Sequence, residues 1–219
     1  MSSIQRSGPP STSASVDLSQ WWNDKLYSSV RESARPVFVF DNMTVPGASI
    51  WTGARAWTEA FRDAGLQAGD RILLHLPPGP AFIQVLIASI WDDFTLVISD
   101  SSKKLPESEF LENFDVKTIV SPDENQYSWR PDGVSGPSNK PKLRNTEIHT
   151  DTRDIRLFLK SSGTCGTPNW YGLSNQNLIS VLQSHWDVLQ ETDTALSYLP
   201  WHHCFGLVLG LFNHLFTEK

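Results

Sequence analysis

Ser161, Ser162, Gly163, Thr164, Cys165, Gly166 and Thr167 follow directly on the apolar run Ile155–Lys160 and lead into Pro168. Small hydroxyl side chains set among glycines make a loop that can aim backbone N–H groups and hydroxyls at phosphate oxygens, because glycine turns tightly and lets a ligand approach the backbone. The same composition also suits an ordinary Gly/Ser turn. It is not a Walker loop, whose Gly-x-x-x-x-Gly-Lys-Ser/Thr spacing is absent. A second chemical feature is Pro200-Trp201-His202-His203-Cys204-Phe205-Gly206. A zinc site needs four ligands at workable spacing, and His202, His203, Cys204 and His214 offer them only on paper. A histidine packed near an apolar pocket is the better reading, and no metal ligands are assigned.

These residues need a scaffold. Arg71–Leu76, Thr95–Ser99 and Lys117–Ser121 read as buried strands, alternating with helices at Ala81–Trp91 and Glu107–Phe114. That rhythm predicts an α/β fold: a parallel, doubly wound sheet flanked by helices, with ligands beyond the carboxyl ends of its strands. Upstream, residues 1–16 form a Ser/Pro-rich tail expected to be disordered. Leu18, Trp22, Leu26 and Val30 mark one helix face, Val37–Phe40 a strand, and Ser49–Ala64 a helix ended by Gly65. Residues 17–121 are thus a first α/β subdomain, and 122–154, rich in Pro, Ser, Asn and Asp, a polar connection. Residues 155–219 carry the strand Ile155–Lys160, the Ser/Gly loop, a helix over Asn175–Gln190, a strand over Ala195–Leu199 and an apolar run from Phe205. They read as the start of a second subdomain.

The formal net charge of −6 and the lack of a Lys/Arg cluster exclude nucleic acid as the main partner. Ala81–Trp91 and Phe205–Phe212 fall short of the roughly 20 apolar residues of a membrane helix. With Cys165 and Cys204 the only cysteines, a reducing compartment is the better fit, and cytoplasm is the expected location.

Three stretches together resemble the adenylate-forming superfamily of acyl- and aryl-CoA synthetases, luciferases and peptide-synthetase adenylation domains. Ser161–Asn169 is similar to the glycine-rich signature Ser/Thr-Ser/Gly-Gly-Ser/Thr-Thr-Gly-x-Pro-Lys. Leu199–Gly206 matches L-P-x-x-H-x-x-G, and Gly69-Asp70-Arg71 through Leu76-Pro77 matches G-D-R-x-x-x-x-L-P. The resemblance runs from about Val30 to the end of the chain. It implies the incomplete N-terminal domain of that fold and a two-step reaction. A carboxylic acid attacks the α-phosphate of ATP, with Mg²⁺, to give acyl-AMP and pyrophosphate; coenzyme A or a pantetheine thiol then takes the acyl group. It further implies that Ser161–Thr167 holds the β- and γ-phosphates and that His203 lines the carboxylate pocket as the catalytic residue. Trp201 and Phe205 either shape an acyl pocket or belong to the core.

Two departures fall in the loop: Cys165 replaces the usual Thr or Ser, and Asn169 the usual Lys. Residues 161–218 contain no Lys or Arg at all. A carboxylate about 4 Å from a phosphate oxygen meets a repulsion of about 4 kcal/mol at an effective dielectric near 20, almost three decades of rate. Later family motifs that offset it have no counterpart here, so the 219 residues are expected to be inactive in adenylation by themselves. Three readings stay open: the front of a ligase, a non-catalytic relative with a degenerate loop, and an unrelated anion-binding loop. A truncated sheet would also leave apolar surface near Phe205–Phe216 and promote self-association.

Overall fold

The computed structural model describes residues 36–40, 43–122, 128–129, 135–136, 154–161, 169–189 and 196–216. The expected N-terminal tail, the helix expected over Leu18–Val30 and most of the polar connection lie outside the described residues.

An antiparallel hairpin of β1 (Pro36–Phe40) and β2 (Met43–Pro46) leads into helix α1 (Gly47–Ala64). Gly65 ends α1 in the left-handed region at φ 93°, with its N–H on the Arg62 carbonyl at 2.9 Å. β3 (Arg71–Leu74), α2 (Pro80–Trp91), β4 (Thr95–Ile98), α3 (Ser108–Asn113) and β5 (Val116–Val120) follow in the expected alternation. The two-residue strands β6 (Ser128–Trp129) and β7 (Ser135–Gly136) pair with each other. β8 (Ile155–Lys160), β9 (Trp170–Ser174) and α4 (Asn175–Leu189) precede a π-helical segment, Phe205–Phe212, that runs into α5 (Asn213–Phe216).

The main sheet has the order β5-β3-β4-β8-β9. β3 pairs in parallel with β4 and β5, and β4 with β8, so strands on either side of the polar connection share one sheet. The chain moves from β3 to β4 in one direction and from β4 back to β5 in the other. Right-handed crossovers of opposite direction must use opposite faces. The packing agrees: Ile72, Leu74, Leu96, Ile98, Leu157 and Leu159 face a core built with α1, α2, α4 and the π-helical segment. Leu73, Val97 and Ile119 face a smaller core under Leu111 of α3, with Phe110, Phe114, Phe158 and Trp170 around it. Helix α2 is buried at every position from Pro80 to Ile90, which explains its lack of a polar stripe.

The Gly69-Asp70-Arg71 stretch is scaffold. Gly69 takes φ 87° and donates its N–H to the Asp93 carbonyl at 2.9 Å, and the Asp70 side chain accepts from the Gln67 N–H at 2.7 Å. Arg71 donates to the Phe114 carbonyl at 2.8 Å and lies over the Phe158 ring.

The parallel, helix-flanked sheet is therefore the expected one, with an antiparallel edge strand, β9, added where a loop was expected. The expected strand over Ala195–Leu199 is absent among its described residues: 196–200 are irregular, with Leu196 84% and Tyr198 79% exposed. β9 already occupies that edge of the sheet, and no described strand pairs with them. The apolar run from Phe205 is mostly buried, since Leu207, Val208, Leu211, Phe212 and Leu215 close over the first core; Phe205 itself is exposed.

Candidate functional site

The Ser/Gly loop is suspended from the β8–β9 hairpin, whose last paired residues are Lys160 and Trp170. Beyond them Ser161 donates its N–H to the Asn169 carbonyl at 2.8 Å, and the Asn169 N–H returns a bond to Ser161 Oγ at 2.9 Å. Ser161 is thus placed at the loop's base. Ser162, Gly163, Thr164, Cys165, Gly166 and Thr167 lie outside the described residues.

The second stretch is built around a buried anchor. Trp201 is 3% exposed, packs on Phe82 with ring centroids 5.2 Å apart, and donates from Nε1 to Ser197 Oγ at 3.0 Å. The chain then turns: the His203 N–H reaches the Pro200 carbonyl at 3.2 Å, and the Leu207 N–H reaches the His203 carbonyl at 2.9 Å. Gly206 closes the turn so tightly that a Cβ there would stand 2.2 Å from the Pro200 oxygen and 2.9 Å from the Leu199 oxygen. Trp201 is drawn into the core, and the next two residues, His202 and His203, have their ring centroids 4.3 Å apart. Of the alternatives for the two aromatics, Trp201 takes the core role, and Phe205 does not line the cleft described next.

Ser161, His202 and His203 meet in one cleft of about 610 Å³. Ser161 and Lys160 line it from the end of β8, His202 and His203 from the turn, and Ile98, Ser99 and Asp100 from the end of β4. Its place follows from the topology. The chain leaves β4 toward β5 and leaves β8 toward β9 on the opposite side, so the connections part between two adjacent strands and open a crevice at their carboxyl ends.

Asp100 organises the cleft's electrostatics. Its Oδ1 accepts from Ser102 Oγ at 2.6 Å and from the Ser102 N–H at 3.0 Å, while Oδ2 lies 3.3 Å from Lys103 Nζ and 3.7 Å from His202 Nε2. Burial alone would raise its pKa, but the Ser102 bonds, His202 and Lys103 together bring it down to about 2. Burial lowers the His202 pKa, reinforced by His203 and Lys103 and opposed by Asp100. Behind the histidines, burial and the neighbouring Cys204 push the Tyr171 phenol up to about 12. Burial also raises the Cys204 thiol pKa, against the hydrogen bond it shares with Tyr171, which lowers it. Among the described residues no three His, Cys, Asp or Glu side chains gather around a common point.

Sequence reasoning paired the Ser161 loop with His203 and missed Asp100, Lys103, Lys104, Lys160 and Trp170, which line the same cleft. The available signal was position: Asp100-Ser101-Ser102-Lys103-Lys104 is a polar run at the carboxyl end of a buried strand. Ser99 also accepts or donates a 2.8 Å bond with Nδ1 of the buried His75, tying the ends of β3 and β4 together below the cleft.

Comparison with known proteins agrees with this geometry. Residues 28–217 match the family model described as AMP-binding enzyme. The chain is 26% identical over 177 residues to a probable CoA ligase of Humulus lupulus, covering 69% of this chain and 34% of that one. It is 27% identical over 188 residues to an oxalate–CoA ligase of Arabidopsis thaliana, covering 74% of this chain and 36% of the relative. The chain therefore spans about a third of the length of these curated relatives. Among solved structures, apo MatB from Rhodopseudomonas palustris superposes with TM-score 0.66 at 18% identity, over 92% of this chain and 43% of that one. O-succinylbenzoate coenzyme A synthetase from Bacillus subtilis, in complex with AMP, superposes with TM-score 0.59 at 16% identity, over 89% and 53%. No helix among the described residues is long and apolar enough to cross a membrane. With its sheet, Ser161 at the end of β8 and its histidine turn in the arrangement described, and with most of its length matched, the chain belongs to the AMP-binding enzyme family.

Proposed function

We propose that the chain supplies the phosphate-holding part of an ATP-dependent, AMP-forming ligase that joins a small carboxylic acid to coenzyme A or a pantetheine thiol. The observation that supports this best is the shared cleft, which brings Ser161 and His203 to the carboxyl ends of β4 and β8. In the reaction a carboxylate oxygen bonds to the α-phosphorus as pyrophosphate leaves, and a thiol sulfur then bonds to the acyl carbon as AMP leaves. Ser161 and the loop through Thr167 hold the terminal phosphates by hydrogen bonds. His203, from the histidine turn that lines the same cleft, orients the acid. Lys103, Lys104 and Lys160 bring the positive charge that residues 161–218 lack. Mg²⁺ commonly binds through one or two carboxylates with substrate phosphates and water, and Glu107 and Glu109 on the cleft wall fit that donor set. CoA as acceptor is favoured by the CoA ligases among the relatives.

A second reading, binding without catalysis, is favoured by Asn169 standing where the loop signature has Lys. Titration of the folded chain with ATP and Mg²⁺, followed by acid-dependent ATP–pyrophosphate exchange, separates the two. Binding without exchange assigns the 219 residues a phosphate-holding role alone, and exchange assigns them the full first step. A folded chain that binds no ATP removes both. We also propose that the exposed Leu196, Tyr198 and Phe205 bring copies of the chain together, which sedimentation velocity reads directly.

A further inference from the structure

Directly after β3, β4 and β5 the chain turns polar at one level, with His75, Ser99 and Ser121. The pairs Leu74↔Ile98 and Leu74↔Val120 set these three residues side by side. All are buried: His75 is 3% exposed and Ser99 8%. The backbone fixes two of them, since the His75 N–H reaches the Val120 carbonyl at 2.9 Å and the Ser99 N–H reaches the Leu74 carbonyl at 3.1 Å. Their side chains also meet, with His75 Nδ1 2.8 Å from Ser99 Oγ. Packing alone would be served by apolar residues, because a buried imidazole and hydroxyl cost desolvation that Val or Leu does not. Ser99 lines the cleft and His75 does not, so the pair reaches the cleft from beneath through the hydroxyl. The register Val97↔Phe158, carried on by two residues, sets Ser99 beside Lys160, which lines the same cleft and precedes Ser161.

A serine hydroxyl has one proton. If Ser99 gives it to Nδ1, only lone pairs are left for the cleft, and these repel an anion. If Nδ1 carries a proton and donates it to Oγ, the hydroxyl proton is free to point at a ligand. We propose that Ser99 is a phosphate-binding residue of the cleft and that His75 is the positioning residue behind it. A phosphate oxygen beside Lys160 accepts from Ser99 Oγ, which in turn accepts from His75 Nδ1–H. Phosphate is favoured over a substrate carboxylate because Lys160 and Ser161 stand at the same strand ends, where an ammonium and hydroxyls converge on one oxyanion. The inference rests on the phosphate reading of the Ser161 loop and adds to it a donor from β4 that no loop residue supplies.

The test labels the histidines of the full chain with ¹⁵N and titrates it with pyrophosphate and Mg²⁺, and in a separate arm with acetate, by NMR and calorimetry. At saturating pyrophosphate, His75 Nδ1 is expected to carry a proton; the signal is identified among the six histidines by its loss in His75→Asn. Ser99→Ala should weaken pyrophosphate about tenfold, the effect of one hydrogen bond to a charged group. His75→Leu should weaken it similarly, whereas His75→Asn, whose amide brings an N–H close to the Nδ1 position, should restore most of the affinity. Acetate binding should not respond to Ser99→Ala. Unchanged pyrophosphate affinity in folded Ser99→Ala, or a saturated wild type with His75 protonated at Nε2 alone, would overturn the inference and leave the phosphate loop standing. Weakening of acetate alone would place Ser99 on the acid and overturn its assignment to phosphate. Failure of the folded wild type to bind pyrophosphate would overturn the phosphate reading itself, and this inference with it.

Discussion

Ser161 and Asn169 close the base of the loop between them with backbone groups on one side and a serine hydroxyl on the other, at 2.8 and 2.9 Å. The Asn169 side chain is not needed for either bond. The departure from the family's Lys therefore removes a charge from the loop while leaving its closure intact.

Asn169→Lys should accordingly leave stability within about 0.5 kcal/mol of the parent, the usual range for an exposed substitution. It should tighten ATP about tenfold, the effect of roughly 1.4 kcal/mol from one added, partly screened charge. Calorimetric titration and urea unfolding of the same preparation check both halves. Unchanged affinity would mean that position 169 does not face the phosphates.

Gly206→Ala tests why the histidine turn ends in glycine. The added Cβ would meet backbone oxygens of Pro200 and Leu199, which cannot swing aside as a side chain could. A loss of about 2–4 kcal/mol is expected in urea unfolding. Gly210→Ala is the control, since its nearest neighbours are 3.8 Å away, and it should be neutral or slightly stabilising. Equal effects at the two positions would contradict the packing.

The contrast between legible and illegible elements has a physical basis. β3 and β4 are buried at every position, so they read as apolar runs such as Ile72–Leu74 and Leu96–Ile98, and the helix expected over Ala81–Trp91 falls one residue short of the observed α2, Pro80–Trp91. β9 gives no such signal, because all five residues from Trp170 to Ser174 are half-buried and Gly172 interrupts them. It becomes a strand as the return leg of a hairpin, a long-range cause. Ser161 and His203 are legible by motif, whereas Asp100, Lys103 and Trp170 join them only because β4, β8 and the histidine turn converge.

Acid should weaken the fold in two stages. Burial keeps the His202 pKa below its ordinary 6.5, with His203 and Lys103 adding to the effect and Asp100 opposing it. The unfolded chain therefore takes up that proton at higher pH than the folded chain. The resulting stability is fully present above about pH 6.5 and falls as pH drops below it. Asp100 acts lower: its contribution is full above 3.8 and is lost as pH falls toward about 2. Urea unfolding at about pH 8 and about pH 5 should show the first stage, and His202→Gln should flatten it. A wild-type midpoint identical at both values would refute the assignment.

Trp201 links core to cleft, and two substitutions separate its contributions. Trp201→Phe keeps a ring against Phe82 and Phe40 but removes the Nε1 donor to Ser197, so a loss of about 1 kcal/mol is expected. Trp201→Ala removes the anchor and should cost about 3–5 kcal/mol. The decisive readout is His202 beside it. If Trp201 sets the turn, the His202 imidazole resonance should keep its titration midpoint in Trp201→Phe and shift toward the ordinary value in Trp201→Ala, as the turn loosens and water reaches the ring. An unshifted midpoint in a folded Trp201→Ala protein would show that the Pro200–Gly206 backbone holds His202 without the anchor.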